Sequence, residues 1–248
     1  MFMNLVITDL FKIKKNFVWK LVFLIPILST CLLQLLIFIQ FKSINNYSNA
    51  HNITGWVLLI SQNSGPVLWP SIINLIIMII SISIYQVEFK NNSFNSQICF
   101  PISKTKILLS KFFIILIFTL ISILLNLLGL VIVGIFNSIS APFPFGMYFK
   151  YFIFQCFSVL GTIALSNWIA SLFESAIIPY VIGILGFAIG LILPHELKFL
   201  SYFFPYSYPL YAVNMAGFDG SIAILGGLIS GVIILYVSSY EFINRDIN

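Results

Sequence analysis

EFKNNSFNSQICFPISKTKILLSK, residues 88–111, is a polar island between two long apolar runs, and the rest of the fold is read outward from it. Glu88 ends the run before it, and Lys111 already lies inside the hydrophobic rise that follows. Asn91, Asn92 and Ser93 have side chains that cap helix N-termini, Pro101 breaks the short helix they would start, and Ser103 is placed to cap the next long one. The spacing predicts a short helix lying across the membrane surface between two spans, with Phe94 and Ile98 four apart on one of its faces. Such a helix is suited to receiving a push from a soluble partner. An ordinary positively charged loop is the competing reading of the same residues.

Composition sets the class. Apolar residues make up 60% of the 248 and charged residues 8%, against roughly 25% charged in a soluble domain. A chain this poor in charge cannot cover its surface in water, so it is an integral membrane protein. At roughly 20 residues per span there is room for about six spans and no ordinary soluble domain. Residues 1–248 are therefore expected to form a single membrane domain, with any energy source on another chain. The net charge of +5 belongs to topology and does not point to nucleic acid. Cys31, Cys99 and Cys156 are odd in number and far apart, which argues against a disulfide framework. Lys12, Lys14, Lys15 and Lys20 precede a span too long for a signal peptide and lacking a small-residue cleavage site.

Residues 1–18 are amphipathic at helical period. Phe2, Val6, Leu10, Ile13 and Phe17 form one stripe, and Asn4, Thr8, Lys12 and Lys15 the opposite one. This predicts an interfacial helix; a frayed basic tail is the alternative. Spans are expected at about 21–41, 66–86, 107–136, 148–173, 176–193 and 220–240. Residues 42–65 read as a loop in which Trp56 to Ile60 dips into the interface, and only Glu174 and Ser175 part spans four and five. Pro179 is expected to interrupt span five early. Residues 194–219, aromatic-rich and broken by Pro205 and Pro209, read as two short helical pieces entering one leaflet without crossing it. With both termini inside, nine Lys and Arg residues fall on the inner side, against Lys42, Lys150 and Lys198 outside. This satisfies the positive-inside bias. The lysines at the start of span three oppose its helix dipole, so topology is the reason given for them.

Little in the chain suggests catalysis. His51 and His195 lack a second histidine at ligand spacing, and no zinc-protease, phosphate-loop or nucleophile-elbow motif occurs. Glu174 reads as a solvated charge in a turn rather than a proton relay. The uncharged in-span residues Gln34, Asn74, Asn126, Gln155, Asn167 and Trp168 read as interhelical glue or as a polar seam for a substrate. Gly183, Gly186, Gly190, Gly227 and Gly231 permit close helix approach, within the chain or at a subunit contact. The sequons at Asn46 and Asn52 read as coincidence in an Asn-rich loop.

With these residues in view the chain resembles the type-2 ABC exporter permeases, and among them the short permeases of lantibiotic (bacteriocin) immunity transporters. The resemblance rests on Glu88 at the inner end of span two, the polar pair Asn92-Ser93, then Pro101-Ile102-Ser103-Lys104, and Lys111 opening span three. Many relatives carry Gly-Thr at the polar pair, from which Asn92-Ser93 departs. It implies an all-α fold of six transmembrane helices with an N-terminal interfacial helix, a short cytosolic coupling helix after span two and a re-entrant element before span six. Glu88, Asn92, Ser93, Phe94, Ile98, Pro101, Ser103 and Lys104 would then form the coupling element that docks in a cytosolic ABC ATPase subunit. A second permease, identical or a sibling, would complete the unit. The chain itself would bind no cofactor, with ATP and Mg on the partner ATPase. It would be a multi-pass protein of a bacterial cell membrane with cytosolic termini, expelling an amphipathic peptide antibiotic. A non-transporting membrane immunity or scaffold protein and an intramembrane enzyme are the rival readings. A neighbouring reading frame encoding a phosphate-loop protein would separate them.

Overall fold

The computed structural model describes residues 2–13, 17–40, 44–90, 103–214 and 218–244. Among these, helix is the only regular structure, in the order α1 (Phe2–Ile13), α2 (Val18–Gln40), α3 (Ile44–Ala50), α4 (Gly55–Ser64), α5 (Trp69–Lys90), α6 (Lys104–Phe136), α7 (Phe145–Leu172), α8 (Ile177–Glu196), α9 (Lys198–Ser201), a 3-10 turn (Pro205–Ser207), α10 (Tyr208–Tyr211) and α11 (Gly220–Asn244). Six of them, α2, α5, α6, α7, α8 and α11, are long and apolar enough to cross a membrane. Such runs become helices because lipid offers no partner for a backbone N–H or C=O, so each must be satisfied within its own segment.

The spans alternate in direction, so α1 and the last turn of α11 lie at the same end of the bundle, which we call the termini side; the opposite end is the far side. Helix α5 is the most buried of the six, and α2, α8 and α11 the least. The main core joins Val6 and Ile13 of α1 and Val22 of α2 to Ile73, Ile77 and Ile84 of α5, Phe118 of α6 and Ile163 of α7. Rows of large apolar residues on α2, α8 and α11 face outward, including Phe38, Ile189 and Val232. That outward apolar surface is what lipid solvates.

Four expectations are corrected. Residues 44–64 are two helices, not a loop, and α4 is buried through Trp56, Leu58, Leu59 and Ile60. The Trp56 indole N–H donates to the Ala141 carbonyl at 2.9 Å, and the Tyr148 hydroxyl donates to the Trp56 carbonyl at 3.1 Å. These bonds seat α4 under the α6–α7 connection, a pairing of distant segments that local polarity does not encode. Span two begins at Trp69, leaving Pro66 outside it. Pro179 does not interrupt α8, because it falls in the first turn, where its missing N–H has no helical partner to lose. Glu241, read as tail, lies inside α11.

The broken stretch holds α9 and then the 3-10 turn running into α10. It folds back against the spans: Asn74 of α5 donates to the Tyr206 carbonyl at 2.8 Å, and the Ser201 and Tyr211 hydroxyls share a hydrogen bond. These bonds satisfy the Asn74 amide N–H and the Ser201 and Tyr211 hydroxyls. Asp219 caps α11 by accepting the Ser221 N–H at 2.9 Å. That hydrogen bond, with the charges of Lys150 and Lys198 nearby, holds its carboxyl below the usual range.

Candidate functional site

The densest charged cluster among the described residues lies on the termini side, where α1, α5 and α6 meet. Glu88 is in the last turn of α5, Lys111 two turns into α6, and Asp9 and Lys12 on α1. Glu88 and Lys111 form an ion pair with side chains 2% and 0% exposed. Lys12 reaches Glu88 at 3.6 Å and Asp9 at 3.3 Å, its own side chain 35% exposed. The second Asp9 oxygen accepts from the Ser110 hydroxyl at 3.0 Å. Two carboxylates and two ammonium groups balance, as burial requires: an unpaired charge at such a site costs several kcal/mol.

A second layer supports the pair. The Lys111 ammonium stands 5.0 Å from the centre of the Tyr85 ring, a cation–π contact. The Tyr85 hydroxyl donates to Asn167 Oδ1 at 3.1 Å, and Asn167 Nδ2 donates to the Leu108 carbonyl at 3.3 Å. Through these groups α7 joins the cluster. On its other flank Lys104 donates to the Ile243 carbonyl at 3.0 Å, placing a cation on the last turn of α11. The first two turns of α6 are thus tied to four other helices.

The arrangement is an ion-pair joint between helices, and what it offers is mechanical. Lys90 and Ser103 bound residues 91–102, and Glu88 and Lys111 fix the two flanking helices to each other. A force on that connection must therefore move α5, α6 and α1 together or break a desolvated ion pair.

Of the residues expected to couple, Glu88, Ser103 and Lys104 are placed here. Asn92, Ser93, Phe94, Ile98 and Pro101 lie outside the described residues. Ser103 takes the N-cap position of α6 in extended backbone but makes no side-chain cap; its hydroxyl accepts from Thr105 at 3.4 Å. Lys111 is also reassigned: topology alone does not explain it, since its charge is consumed by Glu88. Helix α1 is more than an interfacial stripe, because Val6, Asp9 and Ile13 face the bundle while Ile7 and Phe11 remain exposed.

The in-span polar residues all make hydrogen bonds between segments. Gln34 accepts from Asn137 at 2.8 Å, Asn126 bonds Ser29 at 2.9 Å and Asn63 at 3.0 Å, Gln155 accepts from Trp69 at 3.2 Å, and Trp168 donates to Glu241 at 3.3 Å. With Asn74 and Asn167 above, this is the behaviour of glue. The glycines pack within the chain. Gly183 faces Met78, Gly186 and Gly190 receive Tyr206, and Gly227 and Gly231 lie against Phe157 and Leu160 of α7. Glu174 is exposed, as expected of a turn charge, and its carbonyl accepts from Gln86 at 2.6 Å. His51 rests against Tyr47 and His195 against Phe218.

Sequence reasoning missed Asp9, Ser110 and Tyr85. The usable signal was Lys111 itself, an ionisable residue inside an apolar run, which demands a buried partner.

A family profile described as ABC-2 family transporter protein matches residues 5–190. Comparison with curated proteins and with solved structures returns no match. The matched stretch runs from α1 into α8 and takes in Asp9, Lys12, Glu88 and Lys111. With six candidate spans and a match over well over half its length, the chain belongs to the ABC-2 family of transporter proteins.

Proposed function

We propose that this chain is the membrane-spanning permease subunit of an ATP-driven exporter, working with a separate cytosolic ATPase and a second permease, itself or a sibling. The observation that carries the reading is the buried joint of Asp9, Lys12, Glu88 and Lys111 at the root of residues 91–102. A protein that only had to sit in the membrane would gain little from desolvating Asp9, Glu88 and Lys111, because apolar side chains of similar volume are as stabilising or more so. A joint that must pass force from a soluble motor to two spans gains a fixed register from it. In this reading residues 91–102 form the coupling element on the cytosolic face, and both termini are cytosolic. The broken stretch before α11 enters the outer leaflet without crossing. ATP and Mg are held by the partner. The cargo is an amphipathic peptide antibiotic of the lantibiotic class, a choice that rests on the resemblance to lantibiotic immunity permeases.

The test is the double variant Phe94→Asp/Ile98→Asp. If the two side chains dock in an ATPase groove, each contributes roughly 1.5–3 kcal/mol, and losing both weakens docking by several factors of ten. The expected result is normal membrane insertion, no co-purification of the ATPase and no ATP-dependent export. Undiminished binding with wild-type transport would overturn the proposal. For the cargo, cells carrying the chain and its ATPase should survive a cationic lantibiotic better than cells with an ATPase inactivated at its phosphate loop. Equal sensitivity would remove the lantibiotic and leave the exporter.

A further inference from the structure

On the far side a lateral groove of about 610 Å³ opens between α7, the broken stretch and α11. Its walls come from Leu165, Tyr202 and Tyr208, and from Ile222, Ile229 and Ile233 of α11. Gly226 lets the Tyr208 ring approach α11 closely, since a Cβ there would stand 2.8 Å from that ring. Two hydroxyls in the wall are engaged with the backbone: Tyr208 donates to the Tyr202 carbonyl at 3.1 Å and Ser230 to the Gly226 carbonyl at 2.6 Å. The surface left for an occupant is mostly hydrocarbon.

Length identifies that occupant. From Ile222 to Ile234, its last lining residue on α11, the groove follows the helix for about 18 Å at roughly 1.5 Å per residue. One leaflet of hydrocarbon is about 15 Å deep, half of roughly 30 Å. A partner helix would need a groove of full bilayer depth; an acyl chain needs one leaflet. At the shallow end Asp219 immediately precedes α11, and Lys150 and Lys198 lie near enough to act on its charge. All three are exposed. Two ammonium groups thus stand where a lipid headgroup would lie, beside the exposed carboxylates of Asp219 and Glu196.

We propose that this groove binds one acyl chain of an anionic phospholipid from the far-side leaflet, its phosphate at the rim formed by Lys150 and Lys198. The bound chain braces the broken stretch against α11. The proposal does not depend on the transport reading.

The full chain is reconstituted in phosphatidylcholine vesicles containing a minor fraction of phosphatidylglycerol with a photoactivatable diazirine on its acyl chain. After illumination, adducts should concentrate on residues 202–208 and 222–233, in preference to the exposed α2 residues Phe23 and Ile27, and unlabelled phosphatidylglycerol should compete saturably. Ile229→Trp fills the groove from an exposed position and should abolish those adducts while leaving labelling of α2 unchanged. Lys198→Gln should reduce the preference for phosphatidylglycerol over phosphatidylcholine by about fivefold, the factor for one lysine at an anionic surface. Equal labelling of the groove and the α2 face, or labelling that does not saturate, would overturn the site. Should Ile229→Trp fail to insert, saturation in the wild-type chain decides. An unchanged headgroup preference in Lys198→Gln would overturn the anionic part.

Discussion

Replacing Lys111 by methionine keeps most of the stem's volume and deletes the ammonium, so the Glu88 carboxylate loses its nearer lysine. Breaking a buried pair from one side costs about 3–5 kcal/mol. Lys12, 3.6 Å from Glu88, compensates in part, which places the expected loss near the lower bound, about 3 kcal/mol. At about 2–4 °C per kcal/mol for a chain of this size, the midpoint should fall by about 6–12 °C. The assay is thermal unfolding of the detergent-solubilised chain, followed by tryptophan fluorescence and by the fraction recovered on size exclusion. The double variant Glu88→Gln/Lys111→Met removes both charges and should recover most of that loss. The double-mutant cycle should return a coupling of about 2–3 kcal/mol. If Lys111→Met melts with the wild type, or if the two single effects merely add, the charges do not share a desolvated site and the joint loses its physical basis. The restored double variant should still transport poorly, since stability returns without the fixed register of α5 and α6.

Three further outcomes are expected. A cysteine at Lys104 should resist an impermeant thiol reagent in intact cells while cysteines at His51 and His195 react, and a reporter fused at Ser201 or Tyr208 should not be cytosolic; the reverse pattern would sink the orientation. Gly227→Ala places a Cβ on the Phe157 carbonyl and should cost about 1–3 kcal/mol by forcing α11 off α7, whereas Gly146→Ala meets no atom within 4 Å and should be neutral or slightly stabilising in melting experiments. Because the Asp219 carboxyl is depressed in the folded chain, its contribution is complete at neutral pH and is lost only in acid, as pH falls through the depressed value. Asp219→Asn should keep the cap and flatten the acid limb of the melting profile, and an unaltered limb would show that Asp219 does not cause it.

The sequence by itself determined the class, the number of spans and their ends to within a few residues. It could do so because transfer into lipid is decided segment by segment: an apolar run of about 20 residues satisfies its backbone only as a helix. Short connections then force the spans to alternate. Gly227 and Gly231 were legible as packing positions for the same local reason. Only the tertiary structure decided what meets what. Asp9 and Ser110 are 101 residues apart in the chain, and Trp56 finds the Ala141 carbonyl across 85. Hydropathy scores each residue alone, whereas the state of a charge in lipid depends on the register of helices from distant parts of the chain. Lys111 therefore read as a topology signal until α5 and α1 brought Glu88, Lys12 and Asp9 around it. Likewise α4 read as loop until α6 and α7 supplied partners for its buried polar groups.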